Sequence, residues 1–502
     1  MKTLETPTPK LFTTILCLTM ILSGMQLLML TMALNPLAHE LKLHIRGVQW
    51  LISLYALGNA CALLIARPLI ANYGKRKLFL IALFLLAISA LGIATTYNFA
   101  WIIFCAFLHG AANATGITTT MILAKSINEP QQRKKMFNRL VISTTIGIMI
   151  TPLLSGFLIH YFDWETTYYL FSLLALLCCG LAFFSFRFIE QCNPISLNLW
   201  GPFALTITLI SLLCWLHYTF TWGIHDTQNL FFALIFIMSL LFFFFSEKNH
   251  PAPLIRFTLF KYKNYAAANI VACIIFFQLI AWLLLIGIYL QRAETLPATY
   301  AGLMLFPFAC GYAVSIFVHR QLTRKLSPKK LILFSLLLEI LALALLIQSQ
   351  GFNPFIFTLA FILLGYALAS SISLSTSLAL QFTPAIIKPI ASQTLQILRW
   401  LSAALSGVLM ASIFHLTNLH GFNHLLKYFS LKDSKDINIL EQLIFETPKH
   451  FKTIPETLQH TDLFYYRHLV FTYGFHSCLL ILLILTFIAL LIVVVKIGEN
   501  EK

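Results

Sequence analysis

The chain has 502 residues, of which 59% are hydrophobic, 14% aromatic and only 10% charged. Soluble domains carry roughly 25% charged residues, so this composition excludes a water-facing surface and places a lipid bilayer around the chain. The formal charge of +16 lies largely in short loops between apolar runs, which points to membrane topology rather than to a nucleic-acid partner.

A membrane-spanning helix needs about 20 apolar residues. Fourteen runs qualify, approximately 11–34, 48–70, 78–96, 99–124, 137–160, 167–186, 199–220, 228–246, 265–290, 299–318, 331–348, 354–378, 394–415 and 469–495. The first exceeds a signal-peptide core of roughly 7–15 residues and no small-residue cleavage site follows it, so it reads as a retained helix.

Orientation follows from Lys and Arg. With the N-terminus inside, nineteen basic residues fall in inside loops, for example Lys75, Arg76, Lys77, Arg133, Lys134 and Lys135. Only Lys42, Arg46 and Arg292 fall in short outside loops. The positive-inside rule then puts both termini in the cytoplasm, and the expected location is a plasma membrane, the bacterial inner membrane. One long segment, 416–468, is expected outside as a folded cap, with helix-like spacing at Leu440, Leu443 and Ile444.

Nine of the ten Cys lie in apolar runs and only Cys192 in a loop, so neither a disulfide framework nor a metal site is expected. No phosphate-cradling Gly-rich loop is present; no cofactor and no enzymatic activity are expected. A weak internal repeat relates Arg67…Lys77, after span two, to Arg320…Lys330, after span ten, as in secondary transporters built from duplicated halves.

Five stretches resemble the 14-span drug:proton antiporters of the major facilitator superfamily. Val48–Leu57 contains a Gln-Trp…Tyr pattern opening span two. Gly147–Gly156 resembles the antiporter motif GxxxGPxxGG, with Gly147, Thr151, Pro152 and Gly156 at its key positions. Pro251–Lys261 resembles the entry to span nine, Tyr289–Gln291 with Ala301–Pro307 the start of span ten, and Arg399–Ser402 the start of span thirteen. The resemblance implies an all-α polytopic major facilitator fold of 14 transmembrane helices: two six-helix bundles plus an inserted helix pair. The expected divisions are 1–190, 191–250 and 251–502. Gly74, Lys75 and Arg76 would form a cytoplasmic gating loop.

The chain departs from the family pattern in three places. Gln26 stands where the family has an acid in span one. Ala106 and His109 stand in place of the Arg and Gln of span four's RxxQG. Arg67 and Ala71 replace the Gly and Asp of the loop after span two. Losing an acid and a base together is close to neutral, whereas losing one costs roughly 3–5 kcal/mol.

By the same resemblance, spans one, four, nine and twelve line a central cavity. Each carries a polar stripe: Ser23 and Gln26; His109, Asn113 and Thr120; Gln278 and Trp282; Tyr366, Ser370 and Ser373. Such side chains in hydrocarbon face protein or water, either lining a cavity or bonding between helices; cavity lining is the expectation here. His109 is a proton-coupling candidate because its ordinary pKa is about 6.5. Glu339, the only acidic residue within a span, is the other. Arg399, near its helix start, is expected to snorkel. The expected function is proton-linked export of small amphipathic or drug-like compounds by alternating access. The alternatives are a facilitator or importer of an organic metabolite, and a non-transporting receptor. Expected partners are a small-molecule substrate, a proton or ion gradient and the bilayer, with a periplasmic adaptor protein as a further candidate.

Overall fold

A computed structural model describes residues 9–43, 45–186, 200–248, 257–349, 351–381, 383–384, 386–426, 440, 444–445 and 463–498. The expected features at Arg187, Cys192, Pro251–Leu254, Arg256 and Leu443, and most of the 416–468 segment, lie outside those residues.

Among the described residues, fourteen helices are long and apolar enough to cross a membrane. They are α1 (Pro9–Glu40), α2 (Ile45–Tyr73), α3 (Lys75–Ala94), α4 (Phe99–Lys125), α5 (Pro130–Tyr161), α6 (Trp164–Ser185), α7 (Trp200–Trp222), α8 (Thr227–Lys248), α9 (Lys263–Ile288), α10 (Ala298–Leu322), α11 (Pro328–Gln348), α12 (Pro354–Gln381), α13 (Lys388–Leu426) and α14 (Leu463–Lys496). Helices are what hydrocarbon permits, because each backbone group is satisfied within its own segment. Odd-numbered helices start at the face holding the beginning of α1, called here the near face; they end at the far face.

Local chemistry sets the boundaries. Asn98 caps α4 by accepting from the amides of Ala100 and Trp101 at 3.0 and 3.3 Å, and Pro occupies the first turn of α5 and α11, where its missing N–H costs nothing. Gly74 joins α2 to α3 with φ 86°, a conformation that disfavours any residue with a Cβ. α13 runs 39 residues to Leu426 and α14 begins at Leu463, so both ends of the segment expected as a loop at 416–468 are helical. Beyond α13, Leu440, Ile444 and Phe445 are helical and Phe445 packs on Phe422 and Phe471.

α1–α6 pack as one bundle and α9–α14 as a second. The two share an internal correspondence. α2 crosses α4 where Gly58 meets the carbonyl of Phe107 and Gly110 that of Tyr55. α10 crosses α12 where Gly311 meets Ile362 and Gly365 meets Phe308. A Cβ at any of the four would lie 2.0–2.1 Å from a backbone oxygen, so each crossing depends on the missing side chain. α7 and α8 pack on each other, and α7 also packs on α2 and α13. Large apolar side chains such as Phe84, Phe184, Leu234 and Phe245 point outward, as a lipid-facing surface requires.

Candidate functional site

The bundles meet along α2–α13, α5–α10 and α1–α9. At the far face, α5 and α10 approach backbone to backbone: a Cβ on Gly302 would lie 2.1 Å from the Pro152 carbonyl, and one on Gly156 would lie 2.7 Å from that of Ala298. Beside this contact, Arg292 Nε donates to Asn35 Oδ1 at 2.5 Å and Gln291 Nε2 to the Met32 carbonyl at 3.4 Å, joining the end of α9 to α1. Residues Tyr289–Ala293 form a single π turn there. It offsets the helix at the point where these side chains reach across, a use typical of π turns at functional positions. At the near face, Arg67 Nη2 donates to the Pro389 carbonyl and Gln393 Nε2 to the Leu63 carbonyl, both at 2.5 Å, tying α2 to α13.

The sequence motif on α5 serves two partners. Gly147 packs on the Ile21 carbonyl of α1, inside its own bundle, while Pro152 and Gly156 face α10 across the interface. Thr151 turns back to the Gly147 carbonyl at 2.5 Å. In the loop at Gly74, Lys75 opens α3 and Arg76 Nη2 reaches the Phe183 carbonyl of α6 at 3.4 Å.

At mid-depth, the N-terminal bundle holds a closed polar network. Tyr55 hydroxyl donates to Gln26 Oε1 at 2.9 Å, and Gln26 Nε2 donates to Asn113 Oδ1 at 3.1 Å. Asn113 Nδ2 donates to the Tyr55 oxygen and to Asn59 Oδ1, each at 3.0 Å, and Asn59 Nδ2 closes on the Tyr55 carbonyl at 2.9 Å. Gln26 is 1% exposed. Neutral amides and a phenol thus occupy the region where an acid and a base were absent from the sequence. Tyr55 was noted only as part of the Gln-Trp…Tyr pattern and Asn59, four residues on along α2, was missed, although a Tyr–Asn pair inside an apolar run is a visible signal.

His109 sits behind this network, toward α3 and α6. Its Nδ1 lies 2.9 Å from Ser89 Oγ, and its ring lies 6.1 Å from Tyr55 and 5.3 Å from Phe171. Ser89 Oγ also lies 3.1 Å from the Leu86 carbonyl; with its proton on that carbonyl, Ser89 would accept from His109 Nδ1–H and the neutral ring would leave Nε2 as an acceptor. Nε2 is buried with no hydrogen-bond partner among the described residues.

The C-terminal bundle is arranged differently. Gln278 Nε2 donates to Thr486 Oγ1 at 2.7 Å and to the Leu482 carbonyl at 3.0 Å; Thr486 Oγ1 in turn lies 3.2 Å from Glu339 Oε1. Gln278 therefore points at α14, and Glu339, 1% exposed, lies between α11 and α14. Trp282 stacks on Phe308 at 4.5 Å and meets Phe361 edge-on at 5.1 Å, within the bundle. Ser370 is buried, its Oγ without a partner among the described residues; Tyr366 is half-buried and Ser373 exposed.

Arg399 does not snorkel. It is 1% exposed, and Nη2 crosses to α12, donating to the Ile372 carbonyl and to Ser375 Oγ at 2.7 Å each. The side chain starts about 11 residues inside α13, too deep to reach the near face without unpacking. Next to it, Trp400 bridges the bundles, edge-on to Tyr55 of α2 at 5.9 Å and to Phe276 of α9 at 5.2 Å.

Fourteen spans in two corresponding bundles, with polar groups buried on either side of a shared interface, define a polytopic membrane transporter. The Major Facilitator Superfamily profile matches residues 15–407, and the chain belongs to that superfamily. It is similar to the multidrug resistance protein Stp of Mycobacterium tuberculosis (strain CDC 1551 / Oshkosh), 22% identical over 407 residues, 79% of this chain and 75% of that one. It is 24% identical over 390 residues to the tetracenomycin C resistance and export protein of Streptomyces glaucescens, covering 75% and 72% of the two. The uncharacterized MFS-type transporter YhcA of Bacillus subtilis (strain 168) is 24% identical over 312 residues, 62% of this chain and 59% of that one. Among solved structures, the nucleoside transporter NupG superposes with TM-score 0.60 at 11% identity, covering 98% of this chain and 99% of its own. That likeness carries the fold alone.

Proposed function

We propose that this transporter is a secondary active exporter of small amphipathic compounds, working by alternating access and driven by protons. The observation that carries this reading is the far-face closure: α5 on α10 at Gly156 and Gly302, and Arg292 on Asn35. Both are contacts between bundles that separate cleanly if one bundle rocks against the other, and the fold's duplicated halves are suited to that motion. The relatives named for drug resistance and export favour small amphipathic cargo. With the near face in the cytoplasm of a bacterial inner membrane, as the distribution of Lys and Arg favours, the far-face closure is the external gate. The residues 1–190 and 251–502 would then be the rocking halves, with 191–250 an inserted pair.

His109 is the proposed proton carrier. Its ring reaches Tyr55, and Tyr55 meets Trp400 across the interface, so a change in the imidazole lies one side chain from the opposite bundle. Glu339, two hydrogen bonds behind α9, has no comparable route. The test is accumulation of a panel of amphipathic dyes in inside-out vesicles under an imposed pH gradient. Wild type is expected to accumulate dye against its gradient, and His109→Gln to retain downhill exchange only. Gradient-driven accumulation that survives in His109→Gln but fails in Glu339→Gln would reverse the assignment; no accumulation by wild type would remove the export reading.

A further inference from the structure

We infer that Arg399 is a binding position for a negatively charged group, so that the cargo includes amphipathic organic anions. This rests on the reading that the bundle interface houses the cargo. A guanidinium is always charged and offers five donors in a fixed fork. Arg399 is wholly buried, yet the two acceptors assigned to it, the Ile372 carbonyl and Ser375 Oγ, are neutral and share one nitrogen. Its Nε has no hydrogen-bond partner among the described residues. Nor has it an acid: the one ion pair among those residues is Glu294 with His468, at the far-face ends of α9 and α14. A buried charge is costly unless paired and hydrogen-bonded, so an Arg retained in this setting is incomplete as a purely structural clamp.

The surroundings supply the rest of a site. α12 and α13 pack only lightly on one another, each more closely on α9, and the Arg399 side chain crosses the gap between them. Ser371, one turn from Ser375 on the same face of α12, is fully buried, its hydroxyl without a partner among the described residues. An unpaired Nε–H and a free hydroxyl on facing helices suit a carboxylate or sulfonate, whose oxygens accept charge-assisted bonds. The residue after Arg399 is Trp400, whose ring lies between Tyr55 and Phe276. An anion held at Arg399 with an apolar ring against Trp400 would therefore touch both bundles.

The test uses two xanthene dyes of opposite charge, carboxyfluorescein and tetramethylrhodamine ethyl ester. Their binding to the purified full-length protein in lipid nanodiscs is measured by fluorescence polarisation, with empty nanodiscs as the baseline. Wild type should bind the anion, Arg399→Gln roughly tenfold or more weakly, the scale of one charged hydrogen bond, and Arg399→Lys should recover part of the loss. Ser371→Ala should weaken the anion a few-fold without changing the melting temperature. The cationic dye should bind no more weakly to Arg399→Gln than to wild type. Unchanged anion binding in a folded Arg399→Gln, equal loss of both dyes, or no anion binding by wild type would overturn the inference. If the anion binds through Arg399 but vesicles show no efflux, the export reading falls and this one stands. If vesicles export only cationic and neutral dyes, the reverse holds.

Discussion

The central polar clusters of the two bundles solve the same problem, polar groups in hydrocarbon, in opposite ways. In the N-terminal bundle, Gln26, Tyr55, Asn59 and Asn113 satisfy one another through five hydrogen bonds, and none carries a charge. In the C-terminal bundle, Glu339 and Arg399 are buried against different helices, α14 and α12, and Glu339 Oε2, Gln278 Oε1 and Arg399 Nε are all left without partners among the described residues. A satisfied network holds one geometry; an unsatisfied one favours whatever completes it. The comparison assigns a scaffold role to the first centre and a ligand-responsive role to the second. Outside that network the N-terminal bundle also holds buried polar atoms without partners among the described residues, His109 Nε2, Gln49 Oε1, Ser53 Oγ and Glu165 Oε2 among them.

The largest expected effect lies where the bundles touch. Gly302→Val would place branched carbons where a single Cβ already comes within 2.1 Å of the Pro152 carbonyl. Backbone cannot yield as a flexible side chain would, so the far-face contact should not close. Transport should fall by at least roughly tenfold, since a 1.4 kcal/mol bias against the closed state is enough for that. Dye binding at the near-face side should persist. Transport in vesicles, beside dye binding in nanodiscs, separates these outcomes; normal transport would mean that the α5–α10 contact is not a gate.

A matched pair of substitutions tests the contrast directly. Gln26→Leu strips the acceptor from the Tyr55 hydroxyl and the donor from Asn113 Oδ1. Two buried polar groups left unpaired should cost about 2–5 kcal/mol. Gln278→Leu leaves Thr486 still bonded to the Leu482 carbonyl, and its own Oε1 was unpaired to begin with, so about 1 kcal/mol or less is expected. Thermal unfolding in detergent, followed by intrinsic fluorescence, gives both. Equal losses would remove the distinction between the two centres.

The helices themselves were legible because a spanning run is a property of local composition, and the run lengths and loop charges carry it. Helix facing was legible only in part. The stripe at Gln278 and Trp282 is real, but the partner of Gln278 is Thr486, 208 residues away, and no local pattern announces it. Trp282 reads as a cavity residue from the family resemblance, four residues from Gln278, while its flat ring fits between Phe308 and Phe361. For Arg399, depth was counted from the expected start of its span; the helix starts earlier, at Lys388, which places the guanidinium deeper. Gly147 and Gly156 share a motif but not a partner, because nine residues turn the helix far enough to face α1 at one end and α10 at the other.

The smallest expected effect concerns Glu339. A buried carboxylate without a cation is expensive, whereas a protonated carboxyl is a hydrogen-bond donor like an amide. Gln at this position reproduces the second state. Thr486 has one hydroxyl proton and two acceptors near it, Glu339 Oε1 and the Leu482 carbonyl. An amide at 339 could donate to Thr486 Oγ1 and leave that proton to Leu482. Glu339→Gln is therefore expected to change thermal stability by less than about 1 kcal/mol and leave transport within roughly twofold of wild type. Glu339→Leu removes the bond altogether and should be the more damaging of the two. If Glu339→Gln instead abolishes pH-driven transport while the protein melts normally, the carboxyl gives up its proton during the cycle. The C-terminal bundle would then hold the coupling site as well as the anion site, and the division of labour between the bundles would be complete in a different form.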